Sequence, residues 1–132
     1  MVFKTMERYG IEDMLAIMRI LRSDKGCPWD REQTHQSIRG NLLEEAEEAA
    51  LAIDKGDTDN LKEELGDVLL QVVFHSQISE ESGGFTFADV VDGVCHKLVG
   101  RHTHVFGDAK AETSEEALAN WDNAKKAEQK KH

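Results

Sequence analysis

Apolar residues recur every third or fourth position along most of this chain, and no stretch sustains the two-residue alternation of a half-buried strand. Ile11, Met14, Leu15, Met18 and Leu21 predict an amphipathic helix over 11–22. Lys25-Gly26-Cys27-Pro28-Trp29-Asp30 interrupts that spacing with the chain's one proline, so a structured loop is expected there, followed by a helical turn near 31–38. A second main helix is expected from 41 to 55, ended by Gly56. Asp57, Thr58 or Asp59 would then cap a longer third helix, which runs from about 60 to 81 and stops at Gly83-Gly84. Thr86-Phe87-Ala88-Asp89 and Thr113-Ser114-Glu115-Glu116 read as capping boxes for a fourth and a fifth helix. The termini, near 1–8 and 126–132, are expected to fray. These elements predict an all-α protein, a bundle of four or five helices joined by short loops.

The same helical spacing sorts the acidic residues. On the second main helix Leu42, Ala46, Ala49, Ala50 and Ile53 form the expected core stripe, with Asn41, Glu45, Glu48 and Ala52 on one flank and Glu44, Glu47 and Leu51 on the other. On the third, Leu61, Leu65, Val68, Leu69 and Val72 form the stripe, and Asn60, Glu64, Asp67 and Gln71 occupy the corresponding flank. Glu45 with Glu48, and Glu64 with Asp67, are pairs three residues apart that share a helical face. A short helical hairpin would bring the two flanks together as four hard oxygen ligands for one cation, and magnesium suits such a set. A solvated acidic surface is the alternative, but glutamates beside a core stripe repel one another at an interhelical seam unless a cation neutralises them.

Residues 68–74, Val-Leu-Leu-Gln-Val-Val-Phe, are apolar on nearly every side, so this helix needs cover on two faces. A small domain offers few internal partners, and a second copy of the chain is the expected cover. At 132 residues the chain has the size of one domain. Its 16 basic and 26 acidic residues give a formal charge of −10, which opposes adhesion to nucleic acid or an anionic membrane. A phosphate-bearing substrate would then need a divalent cation as mediator. Only Cys27 and Cys95 occur, without a visible signal segment or membrane-length apolar run, so two free thiols and a cytoplasmic location are expected.

On the fourth helix Phe87, Val90, Val91, Val94 and Leu98 are the expected inward stripe, and Lys97 and Arg101 lie on that side, placed either to meet the helix dipole or to reach phosphate oxygens. Trp121 and Trp29 suit core packing or the border of a base pocket. His102-x-His104 lacks the further ligands of a transition-metal site, and Glu32-x-x-His35 occurs once where a di-iron bundle would carry the pair on two helices. There is no Gly-x-x-x-x-Gly-Lys loop, nucleophile elbow or Cys-x-x-Cys pair.

Taken together, Gly26-Cys27-Pro28-Trp29-Asp30, Leu43-Glu44-Glu45-Ala46-Glu47-Glu48, the run from Glu64-Leu65-Gly66-Asp67 to Phe74, and Arg101-His102-Thr103-His104-Val105-Phe106 resemble the MazG-type nucleoside triphosphate pyrophosphohydrolases, in particular the leading domain of longer members. The resemblance implies the all-α fold of that superfamily, completed by dimerisation, and hydrolysis of a nucleoside triphosphate to the monophosphate and pyrophosphate with magnesium, or with manganese in its place. Glu44-Glu45-x-x-Glu48 and Glu64-x-x-Asp67 match the family's metal pattern, which implies Glu45, Glu48, Glu64 and Asp67 as ligands and Glu44 or Glu47 as the group that activates water. Lys97, Arg101 and Trp121 match its nucleotide contacts, with Asn41 and Lys62 as further contributors. Gly100 and Thr103 depart from the arginine and proline frequent in the pattern. A catalytically silent nucleotide-binding or dimerisation module on the same fold is the competing reading.

Overall fold

In the computed structural model, which describes residues 4–130, every regular element is a helix. Five are long: α1 (Ile11–Leu21), α3 (Arg39–Lys55), α4 (Thr58–Glu81), α5 (Phe87–Arg101) and α7 (Ser114–Lys130). Two are short: α2 (Pro28–Glu32) and α6 (Thr103–Phe106). The expected helical turn at 31–38 forms earlier, as α2, because Pro28 supplies a preset φ at the first helical position and gives up no backbone bond there. α7 is helical through Lys130, beyond the start of the expected fraying at 126, and residues 1–3, 131 and 132 lie outside the described residues.

The backbone divides into two compact units, one ending at Phe87 and the other beginning at Ala88. In the first unit α3 and α4 form an antiparallel hairpin across a two-residue connection. Gly56 takes the left-handed conformation (φ 66°) that closes α3, and the Asp57 side chain then accepts from the Asn60 backbone N–H at 3.1 Å to open α4. Met18 of α1, Ile38 just before α3, and Val73 and Phe74 of α4 make the buried centre, with Met14, Leu15, Ile78 and Phe87 packed around it.

Arg22 fastens the loop after α1 to this centre. Its Nε and Nη2 donate to the Glu81 carboxylate at 2.8 and 2.9 Å, Nη1 donates to the carbonyls of Asp30 (2.6 Å) and Gln33 (3.1 Å), and its guanidinium lies over the Phe74 ring. These bonds hold the Glu81 carboxyl below the usual range. Trp29 meets Phe74 edge-on at 6.4 Å, so it borders the core while remaining half exposed. A Cβ at Gly26 would collide with the carbonyl oxygens of Ile20 and Leu21, which is why the loop needs glycine there.

The hairpin faces differ from the expected stripes. On α3 the buried residues are Ala49 and Ala52, while Ile53 is 62% exposed. On α4, Leu65 (52%) and Leu69 (40%) face outward. Both helices are rotated toward the flanks that carry Glu45 and Glu64. Two alanines let α3 approach α4 closely on that side, whereas the leucine stripes would hold the axes apart. The acidic flank is therefore part of the seam itself.

In the second unit α6 packs on α7, and the Thr113 hydroxyl accepts from the Glu116 backbone N–H at 3.2 Å, as the capping box predicts. α5 carries no buried residue: Val91, Val94 and Leu98 of its expected inward stripe are exposed in the isolated chain. Both cysteines are free thiols. No described helix is long and apolar enough to cross a membrane.

Candidate metal centre

The α3–α4 seam brings Glu45 of α3 together with Glu64 and Asp67 of α4: one carboxylate oxygen from each lies within 4.8 Å of the others, and all three side chains are half-buried. Helical spacing explains the α4 pair, since Glu64 and Asp67 stand almost one turn apart on the same face. The tight Gly56-Asp57 turn explains the third, because it returns α3 with Glu45 opposite that face.

The electrostatics fit a cation. Glu45 and Glu64 both have raised pKa values, through desolvation first and then the neighbouring charge of Asp67; Glu48 adds to both, Glu44 to Glu45 and Glu63 to Glu64. Among the described residues no basic side chain forms an ion pair with any of the three. Three hard oxygens with mutual repulsion and no internal counter-charge are a donor set for a hard divalent cation rather than for a soft metal.

Of the four sequence-matched ligands, Glu48 stands outside this three-residue group. It is exposed on the next turn of α3, near enough for its charge to act on Glu45 and Glu64. Glu44 and Glu47 are exposed on α3, and Lys62 is exposed on α4. Asn41 is half-buried one turn before Glu45.

In the second unit the Arg101 guanidinium lies 5.1 Å from the Trp121 ring centroid and donates to Glu128 at 3.1 Å. His102 meets the Trp121 ring edge-on at 5.2 Å. Lys97, on α5, is exposed. Arg101 and Trp121, twenty positions apart in sequence, are thus in contact through α5 and α7.

Two polar features of the seam went unassigned in sequence. His35 and His75 meet through their Nδ1 atoms at 2.8 Å, with nearly parallel rings whose centroids are 5.0 Å apart. That separation exceeds the nitrogen distance by about two ring radii, so the rings lie edge to edge, joined by one N–H···N bond. Burial and the neighbouring His35 lower the pKa of His75. The second feature is Gln71, buried on the flank that carries Glu64 and Asp67. Its position on that flank is readable from helical spacing; its burial is not.

The MazG nucleotide pyrophosphohydrolase domain matches residues 33–106, which contain the whole carboxylate group. The nucleoside triphosphate pyrophosphohydrolase/pyrophosphatase MazG of Thermotoga maritima is 54% identical over 106 residues, covering 79% of this chain and 42% of its own length. The nucleoside triphosphate pyrophosphohydrolase of Escherichia coli is 47% identical over 119 residues, covering 89% of this chain and 45% of its own length. An uncharacterized protein of Bacillus subtilis, YabN, is 53% identical over 113 residues, covering 86% of this chain and 23% of its own. The chain thus spans less than half the length of these curated relatives. The crystal structure of a MazG-related protein from Thermotoga maritima aligns with a TM-score of 0.71 at 30% identity, over 87% of this chain and 98% of that one. With the domain match extending over more than half of its residues, and its carboxylates gathered within that match, the chain belongs to the MazG nucleotide pyrophosphohydrolase domain family.

Proposed function

We propose that this chain hydrolyses nucleoside triphosphates between the α and β phosphates, consuming one water and releasing the nucleoside monophosphate and pyrophosphate. The observation that carries the reading is the meeting of Glu45, Glu64 and Asp67 across the α3–α4 seam, at positions that fit the metal pattern of the family. These three, with Glu48 from the next turn, would hold magnesium, and manganese can take the same oxygen set. When bound, the ion supplies charge neutralisation for the phosphate chain and acidifies a water.

The protein's own groups carry the remaining work. A chain of charge −10 repels a triphosphate, so the carboxylates must act on the cation and leave phosphate contacts to basic groups. Glu44 or Glu47, both exposed on α3, takes the proton of the attacking water. Asn41, one turn before Glu45, and Lys62, exposed on the turn of α4 that carries Glu64, are further polar contacts. In the second unit Lys97 and Arg101 supply positive charge for phosphate oxygens, and the Trp121 ring under Arg101 supplies an aromatic face for a base.

A homodimer in the cytoplasm is part of the same proposal. Leu65, Leu69 and Leu70 are exposed on α4, and Leu69 also borders a groove of about 440 Å³ lined by Tyr9, Ile11, Met14 and Ile17. Such a surface is covered most simply by a second copy. Light scattering at micromolar concentration is expected to give the dimer mass; a monomer throughout that range removes this part.

Pyrophosphate release from a panel of triphosphates tests the activity. Release is expected only with magnesium or manganese, and Glu64→Gln is expected to lower it by about a hundredfold or more, since the substitution removes a charged ligand. Saturable binding without turnover by the wild type would instead identify a silent binding module. Release that is unchanged in Glu64→Gln would sink the ligand assignment.

A further inference from the structure

Gln71 is 7% exposed, and its side-chain oxygen is buried without a hydrogen-bond partner among the described residues. Leaving such an acceptor unsatisfied forfeits its hydration without return, so a buried amide oxygen of this kind calls for a donor. Two contacts fix where it lies. Four residues before it on α4, Asp67 meets Glu45 of α3; four residues after it, His75 meets His35, just ahead of α3. Asp67, Gln71 and His75 recur at one-turn spacing along one face, so Gln71 occupies the same α3–α4 seam, one turn deeper than the carboxylates.

The neighbours at that level do not satisfy it. Antiparallel pairing sets Asn41, one turn before Glu45, at the level of Gln71, yet no hydrogen bond joins their side chains. His75 is already bonded through Nδ1 to His35, and its Nε2 is likewise buried without a partner. Neither of these two orphan atoms bonds the other, whichever ring carries the proton of the His35–His75 bond, so His75 does not serve Gln71. A water-borne donor remains, and the carboxylate site is where hydrated cations would bring one: magnesium-like ions keep several waters, each with hydrogens to donate.

We infer that Gln71 is a positioning residue of the carboxylate site, its side-chain oxygen accepting a hydrogen bond from a water of the hydrated divalent ion held by Glu45, Glu64 and Asp67. This rests on the metal reading above and adds to it a neutral acceptor that the acidic pattern does not contain. A carboxylate at that position would also accept; the neutral amide does so without adding to the repulsion already raising the pKa values of Glu45 and Glu64. The arrangement accounts for a polar side chain kept in the most buried stretch of α4, where leucine would otherwise serve.

The experiment measures Mn²⁺ binding to the full chain by electron paramagnetic resonance, together with thermal unfolding of the metal-free protein. Gln71→Leu, of similar volume, is expected to weaken Mn²⁺ binding by about tenfold or more. The same substitution should leave the metal-free melting temperature unchanged or higher, because it removes an unsatisfied buried acceptor. Gln71→Glu, which restores an acceptor oxygen, is expected to bind within about threefold of wild type or tighter. If wild type binds Mn²⁺ and Gln71→Leu binds equally well, the inference fails while the metal reading stands. Loss of metal-free stability in Gln71→Leu, or equal loss of binding in Gln71→Glu, assigns the residue a structural role and overturns the inference. If wild type itself shows no Mn²⁺ binding, the metal reading fails and the inference falls with it.

Discussion

The two halves of α4 do different work within one continuous helix. Every buried residue of α4 lies in its C-terminal half, at Gln71, Val73, Phe74, Ser76 and Ser79, whereas Thr58–Leu70 contains none. The N-terminal half instead carries the carboxylates Glu64 and Asp67 on one side and the exposed Leu65 and Leu69 on another. Stability is thus concentrated in one half, while mutual repulsion is tolerated in the other. The difference shows how a small helical protein can hold a strained acidic site: the half that packs fixes the helix, and the half that repels is carried along by the same backbone ladder.

Replacing Phe74 by Ala should have the largest effect on stability. It removes a ring that is 3% exposed and that supports Trp29 on its edge and Arg22 on its face. The expected cost is about 3–5 kcal/mol, or a fall in Tm of roughly 10–20 °C. Urea unfolding followed by circular dichroism measures it. A loss below about 1 kcal/mol would break the comparison, because the C-terminal half would then not be what holds the helix.

How far this division was readable in sequence follows from which interactions are local. The helices and their ends were legible because capping and periodicity are written into adjacent residues: Asp57 opens α4, Gly56 closes α3, and Thr113 caps α7. The flank shared by Glu64 and Asp67, and that of Glu45, followed from helical spacing as well. The rotation of the seam did not, since hydropathy favours Ile53 over Ala52 as a contact residue, whereas close helix approach favours the smaller Ala52 beside the expected Ala49. Glu48 carries the same sequence signal as Glu45 and its charge also acts on Glu64, yet only Glu45 gathers with the α4 pair within 4.8 Å, because position on the curved helix surface depends on that rotation. Long-range pairings such as Arg22 with Glu81 and His35 with His75 join residues 59 and 40 positions apart and leave no local trace.

The smallest change in stability is expected in the half of α4 that repels. In the metal-free protein the folded state raises the pKa of Glu64, so folding favours its protonated form. Its favourable contribution is complete below the ordinary carboxylate range and is lost as pH rises through the raised value, so at neutral pH the charged side chain opposes folding. Glu64→Gln should therefore raise the metal-free Tm at pH 7 by a small amount, about one to three degrees, and the gain should vanish near pH 4, where wild type is also neutral. Glu64 is only half-buried, so solvent screens the repulsion and keeps the effect small. Saturating magnesium should reverse the order at pH 7, because only the intact carboxylate set gains stability by binding, about 2.7 kcal/mol when the ion is at a hundred times its Kd. Differential scanning fluorimetry with and without magnesium reads all of these conditions. A metal-free Glu64→Gln variant less stable than wild type at pH 7 would make this carboxylate a support of the fold, and the two halves of α4 would no longer divide as proposed.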